Sequence, residues 1–316
     1  MNNNKGTTER GQDIADLTEE QAREHLEGVL WPLGPVCPHC KSRKSTRMGG
    51  ESHRDGLLQC NDCRKQFTVT VGTIFEDSHI PLRKWLRAIH LMCSSKKGIS
   101  ALQLQRNLGL GSYRTAWYLA QRVRLAMSSG LTAPPKMKGA VECDDTLVGG
   151  VKKVKSRRNF SEIRSNKTVV LSVVERDGKK VSFVQDKVTG KNLKQAVNEL
   201  VERGTPINTD DAMANKLSLK GWRHYTVNHT KKEYARREPD GTLASTNTVE
   251  STFSLLKRGV IGTFHHLSRK HLHRYCAEFD FRWNERKVKD KARVQSALEK
   301  TTGRRLTYRE VVGEVE

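Results

Sequence analysis

Hydrophobic residues keep a helical spacing through the early part of the chain, then change to the alternation and short apolar runs of strands beyond residue 138. Leu17, Ala22, Leu26 and Leu30 mark one helical stripe. Pro81 suits the first turn of a helix that continues through Trp85, Ile89 and Met92 and ends at Gly98. Ser100-Ala-Leu-Gln103 is a capping-box signature ahead of Leu104 and Leu108. Leu108-Gly-Leu-Gly-Ser112 then turns the chain into a helix with Ala116, Ala120, Val123 and Met127 on one face. Two helices about a glycine turn, with Arg114, Gln121, Arg122 and Arg124 placed on the surface, predict a helix-turn-helix-like region; a structural hairpin is the alternative. After the linker Ala133-Pro-Pro-Lys136, strands are predicted at Gly139–Val148, Thr168–Glu175, Lys180–Val188, Pro206–Thr209 and His224–Val227. Helices are predicted at Asn192–Val201, Asn247–Lys257 and His271–Asn284, which makes the second half an α/β or mixed-sheet domain.

Cysteines add a third kind of element. Cys37-Pro-His-Cys40 and Cys60-Asn-Asp-Cys63 form two C-x-x-C pairs, and thiolates at this spacing read as a tetrahedral zinc site. The alternative, a pair of disulfides, goes with an oxidising compartment, and no secretory signal is visible. With the strand-like pieces Gly56–Gln59 and Gln66–Val71 around them, the four cysteines predict a zinc ribbon of three short strands. Cys93, Cys143 and Cys276 are isolated and read as small buried apolar residues.

Charge narrows the partner. The 316 residues carry 57 Lys and Arg against 35 Asp and Glu, a formal net charge of +22, and 35% of them are hydrophobic. No apolar run approaches the ~18 residues of a membrane helix, so a membrane protein is excluded and the cytoplasm is the expected compartment. Residues 1–30 hold seven acids and three bases, yet Ser78–Val141 has eleven bases and no acid at all. A solvated face normally mixes both signs, whereas a surface lying against phosphates excludes acids. Double-stranded DNA is the expected partner, with the protein nucleoid-associated.

Where acids return, a few stand at informative places. Glu142, Asp144 and Asp145 lie in a strand that ends at Gly149-Gly150. Asp210 and Asp211 close the Pro206–Thr209 strand, the end at which α/β sheets carry their sites. Glu250 is on the first turn of a predicted helix, and Lys257 lies nearly two turns further along the same face. Three carboxylates brought together repel one another unless cations hold them, and magnesium takes oxygen ligands and serves phosphoryl transfer. Each has a plainer reading. Asn247-Thr-Val-Glu250 fits a capping box, Asp210 or Asp211 a helix cap, Asp144 or Asp145 a strand end, and Lys257 a surface charge.

Several blocks in order now carry a resemblance. Cys37-Pro-His-Cys40 and Cys60-Asn-Asp-Cys63, Phe67–Phe75, Ser94–Ser100 and Thr115-Ala-Trp117 resemble the front of ISXO-like insertion-sequence transposases. Glu142–Gly150 is similar to that family's first catalytic block, and Asn247–Gly259 with Gly262–His266 to its last. The Tyr275…Glu278-Phe…Arg282-Trp-Asn284 run matches as well. The resemblance covers about residues 30–286 and implies a metal-dependent DDE transposase with a ribonuclease-H-like core. By position, the first Asp is Asp144, the second Asp210 and the third acid Glu250, with Asn247 the competing third ligand and Lys257 downstream. His229 matches a family position of undefined role, and Asp145 and Leu147 depart from the family's usual residues.

The expected organisation is an acidic helical lead-in (1–30), a zinc ribbon (31–76), a helical DNA-binding region (77–132), a ribonuclease-H-like catalytic domain (138–287) and a basic tail (288–316). Zinc is expected on Cys37, Cys40, Cys60 and Cys63, and Mg²⁺ or Mn²⁺ on the carboxylates. Arg114, Arg122, Arg124 and the insert residues Lys152, Lys153, Arg157 and Arg158 are expected to contact DNA. The expected activity is binding of terminal inverted repeats, nicking and strand transfer by a homo-oligomer on DNA. A DNA-binding regulator with an inactive core, or a nuclease without strand transfer, is the alternative.

Overall fold

A computed structural model describes residues 14–50, 52–128, 135–149, 167–214 and 222–313. The insert residues Lys152, Lys153, Arg157 and Arg158 lie outside them. The chain divides into two compact units, one made of residues 1–94, 101–126 and 290–316, the other of 95–100 and 127–289.

The first unit begins with helix α1, Glu19–Leu30, which opens on a complete capping box between Thr18 and Gln21 and buries Ala22 and Leu26. Strands β1 (Ser45–Arg47), β2 (Leu58–Cys60) and β3 (Gln66–Phe67) form the antiparallel sheet of the ribbon. Helix α2, Leu82–Ser94, buries Trp85, Leu86, Ile89 and Met92 along one side. The carboxylate of Glu19 accepts the first N–H groups of α2, from Leu82 at 2.6 Å and Arg83 at 3.2 Å. This charge-assisted cap does for α2 what a local Ser or Asp usually does. Helices α3 (Ala101–Leu108) and α4 (Tyr113–Met127) flank a turn in which Gly109 has a φ of 56°, a left-handed conformation that glycine adopts without penalty.

The second unit is built on a five-stranded mixed sheet. Its strands are β4 (Val141–Val148), β5 (Thr168–Glu175), β6 (Lys180–Gln185), β7 (Pro206–Asp210) and β8 (Arg223–Val227), in the order β6-β5-β4-β7-β8. The β6, β5 and β4 strands run antiparallel, while β7 and β8 are parallel to β4. This order is consistent with a ribonuclease-H-like core. Helix α5, Gly190–Leu200, covers one face and packs Leu193, Ala196 and Val197 with Val141, Cys143, Leu171 and Val173. A single turn, α6 (Asp211–Ala214), follows β7, and the small β9 (Ala235–Arg237) and β10 (Leu243–Ser245) pair after β8. The other face takes α7 (Asn247–Gly259) and α8 (Arg269–Asn284), whose Val249, Phe253, Leu256, Leu272 and Tyr275 pack with Val148, Val170 and Val174. Alternation along β4 and β5 thus feeds two cores, one on each side of the sheet.

Residues 288–316, written from sequence as a basic tail, contain two helices of the first unit. They are α9 (Asp290–Glu299) and α10 (Tyr308–Val312). Val294, Ala297 and Leu298 of α9 are buried, and α9 packs with α1 and α2. The segment between them is stitched down by Gly303 N–H to the Gly72 carbonyl and by Tyr118 O–H to the Leu306 carbonyl.

Candidate active site and metal centre

The four ribbon cysteines are gathered with their sulfurs all within 4.8 Å of one another. Two knuckles of the same design hold them. In the first, Lys41 N–H bonds the Cys37 carbonyl at 2.9 Å; in the second, Arg64 N–H bonds the Cys60 carbonyl at 3.0 Å. Lys41 and Arg64 both take left-handed backbone, with φ of 64° and 61°, which turns each chain end away from the sulfurs. Sulfurs bound to zinc at ~2.3 Å in a tetrahedron stand about 3.8 Å apart. The observed Cys40–Cys60 and Cys37–Cys63 separations are 3.5 and 3.7 Å, so the donor set fits zinc. Backbone N–H groups of Cys63 and Asp62 lower the Cys60 thiol to about 7, while burial and its cysteine neighbours hold Cys40 up to about 12, so without metal the cluster keeps its protons unevenly shared.

On the sheet face that carries α7 and α8, Asp144 feels the charges of Asp210 and Glu250. Val141 pairs with Ile207 and Glu142 with Asn208; two residues beyond the end of this ladder on each strand, Asp144 of β4 and Asp210 of β7 are near enough for their charges to act on one another. Burial pushes the Asp144 carboxyl up to about 7, and the nearby charges of Asp210, Asp145 and Glu250 add to the shift. Mutual repulsion of this kind is what a multivalent cation relieves. One oxygen of each aspartate is already engaged. Asp144 Oδ1 accepts its neighbour Asp145 N–H at 2.7 Å, and Asp210 Oδ1 accepts Met213 N–H at 2.7 Å, capping α6. Among the described residues the three carboxylates are not gathered as closely as the cysteines. Hard oxygen donors of this number and charge suit Mg²⁺ or Mn²⁺.

Glu250 reaches the site from the first turn of α7, and His229 Nε2 lies 3.3 Å from its Oε1 and 2.9 Å from Thr246 Oγ1. Sequence spacing leaves His229 without a role; here it touches Glu250. Asn247 is exposed and is the first residue of α7, not its cap. The cap position is Thr246, which makes no capping hydrogen bond with its side chain. The capping box proposed for Asn247 and Glu250 is therefore absent. Lys257 stands exposed in the last turn of the same helix.

Glu142, noted from sequence only as one of a group of acids, proves to be wholly buried. Its Oε2 accepts Val249 N–H at 2.9 Å and its Oε1 accepts Arg176 Nε at 2.7 Å. Both oxygens are thereby used by the protein. Nothing in the sequence around Val249 signals this cap, because the accepting carboxylate lies 107 residues away.

The arginines expected on a DNA-facing helix divide. Arg114 is exposed. Arg122 and Arg124 are only 3% and 2% exposed, and Gln121 is fully buried, which corrects the expectation that they face solvent. Arg122 lies against the rings of Trp85 and Tyr118 and donates to the Glu76 carbonyl. Residues 119–124 are buried in succession, so this part of α4 is covered on every side and an amphipathic pattern does not tell its polar positions from surface ones.

Comparison with known proteins agrees with this layout. Residues 17–66 match a transposase zinc-ribbon domain, and residues 136–284 match the ISXO2-like transposase domain. The chain is also 26% identical, over 90% of its length and 97% of the relative's, to an uncharacterized protein in transposable element ISH50 of Halobacterium salinarum. No solved structure matches the chain.

Proposed function

Built from a transposase zinc ribbon and an ISXO2-like transposase domain, the chain belongs to the insertion-sequence transposases, and we propose that it binds the terminal inverted repeats of its element, nicks DNA at the element's ends and joins those ends to target DNA. The observation that carries this reading is the approach of Asp144, Asp210 and Glu250 on one face of a ribonuclease-H-like sheet, with Asp144 raised to about 7 by burial and by its neighbours. In this reading those three acids hold the divalent cations, which when bound supply activation of the attacking oxygen and stabilisation of the leaving one. The rest falls to positioning. Lys257 is exposed and free to meet a phosphate beside the carboxylates. The ribbon, the exposed Arg114 and the basic insert with Lys152, Lys153, Arg157 and Arg158 supply contacts to the DNA backbone. Pairing two element ends calls for at least two protomers on the DNA.

The test is cleavage and joining of terminal-repeat duplexes by the purified protein with Mg²⁺ or Mn²⁺. Asp144→Asn and Asp210→Asn are each expected to remove both reactions, by a factor of at least about 1,000, while leaving duplex binding within about twofold. Cleavage that survives both substitutions overturns the metal site. Nicking without joining identifies a nuclease, and binding without either reaction identifies a regulator.

A further inference from the structure

We infer that the Glu142–Arg176 pair is the positioning device of the carboxylate site, an internal clamp that sets Glu250 against Asp144 without touching DNA or cation. The inference rests on the transposase reading for its catalytic consequence, but its structural half stands on geometry alone. Helix α7 carries Glu250, and its own N-terminus is poorly provided for. Thr246 makes no capping bond with its side chain, so the N–H of Val249 would lack the partner that a cap residue normally gives. Glu142 fills that place from the neighbouring strand. Its carboxylate lies at the positive end of the α7 dipole, which favours a negative charge there.

The covalent links give this bond its leverage. Glu142 is two residues before Asp144 on β4, so both side chains project from the same face of the strand. Val249 immediately precedes Glu250. One hydrogen bond thus ties the residue next to the third acid to a strand position next but one to the first. Arg176 completes the device. Its Nε holds Glu142, its Nη1 donates to the Leu243 carbonyl at 2.6 Å and its Nη2 to the Ser245 carbonyl at 2.9 Å. Those carbonyls belong to β10, the strand that leads straight into α7. The guanidinium fork therefore fixes the approach to the helix while the carboxylate fixes its first turn. A buried acid this close to a group of carboxylates adds repulsion, and the full ion pair with Arg176 is what makes its charge tolerable there.

The experiment uses the full-length protein and two readouts. In protein that keeps its ribbon zinc but holds no Mg²⁺ or Mn²⁺, hydrogen exchange of the amides at 247–250 is compared between wild type, Glu142→Gln and Arg176→Lys. Arg176→Lys keeps the charge and removes the fork, so it remains informative if Glu142→Gln does not fold. Exchange over the first turn of α7 is expected to quicken by roughly tenfold in Glu142→Gln, with α8 unchanged. In nicking assays, the Mn²⁺ concentration for half-maximal rate is expected to rise by about 10-fold or more in both variants, because groups that orient metal ligands typically matter on that scale. Duplex binding stays at the wild-type level. A merely structural role would lower the melting temperature without moving the Mn²⁺ midpoint. Wild-type exchange at 247–250 together with a wild-type midpoint overturns the clamp. Wild-type protein that fails to nick with either metal overturns the transposase reading and the catalytic half of the inference, while quickened exchange in the variants still upholds the cap itself.

Discussion

Asp144 concentrates the electrostatic tension of the site in one side chain. Its carboxyl is raised to about 7, first by burial and then by Asp210, Asp145 and Glu250. A carboxyl raised in the folded state contributes stability that is complete below its ordinary value near 4, and that contribution is lost as the pH rises through 7. With its ribbon zinc in place but no Mg²⁺ or Mn²⁺, the protein is therefore expected to lose stability between about pH 4 and pH 7 on account of this group, with a ceiling of about 4 kcal/mol. Asp144→Asn removes the charge and keeps the shape. In thermal melts of the zinc-loaded protein without Mg²⁺ or Mn²⁺ it should stabilise at about pH 8 and make little difference below about pH 4. An equal effect at both values would mean that Asp144 is ionised throughout. Divalent cation at high pH should reverse the wild-type loss, since binding favours the carboxylate form. Asp144, Asp210 and Glu250 stand out in the sequence through the resemblance of Glu142–Gly150 and Asn247–Gly259 to the family's blocks; spacing alone leaves each a structural reading, and Asp144 lies inside β4, not at its end. Nothing in the sequence marks Glu142 as a cap, because a buried acid in a strand looks like any other acid until its distant partner is known.

At the scale of elements, local rules predicted well wherever they acted alone. The strand Thr168–Glu175 and the helix ending at Asn284 stand as the alternation and spacing predicted. The starts of two helices are legible at Pro81 and Asn247, but not the distant groups that cap them. The structure caps α2 with Glu19 and α7 with Glu142, in neither case from the adjacent sequence. The last 29 residues were read as a tail because their apolar positions are sparse, yet Val294, Ala297, Leu298 and Val311 are enough to anchor two short helices. The ribbon is the opposite case, legible because metal spacing is covalently local. Its apolar core holds Leu58 and Phe67 besides Cys37 and Cys60, with Trp31 set edge-on to Phe67 at 5.9 Å. So small a core leaves most of its stability to the metal. Cys60→Ser is therefore expected to lower bound zinc from one equivalent toward none and to expose Trp31. Elemental analysis and tryptophan fluorescence check this, and full zinc content in the variant would exclude Cys60 as a ligand.

Over the whole molecule, the charge that first pointed to nucleic acid is not all available to it. Within the acid-free stretch, Arg122 and Arg124 are interior residues, and in the C-terminal segment Arg304 donates to the Leu125 carbonyl. Arg122 and Arg304 serve the fold of the first unit by meeting carbonyls and rings. Arg83, Arg87, Arg106 and Arg114 of the same unit are exposed. Net charge therefore overstates the electrostatic footprint, and the two populations should separate by experiment. Replacing Arg83, Arg87 and Arg114 together by Gln should leave the melting temperature within a few degrees and weaken duplex binding. Each lost phosphate contact lowers the slope of log affinity against log salt by about 0.9, so the triple variant should lose between about 1 and 3 from that slope. Arg122→Ala should do the reverse. It leaves the slope unchanged and destabilises the first unit by roughly 1–3 kcal/mol, because the Glu76 carbonyl loses its donor and the Trp85 and Tyr118 rings lose their packing. Binding titrations at three or more salt concentrations, beside urea melts of the same proteins, measure both quantities. An unchanged slope in the triple variant would move the DNA surface off α2 and α4 to basic residues elsewhere on the chain.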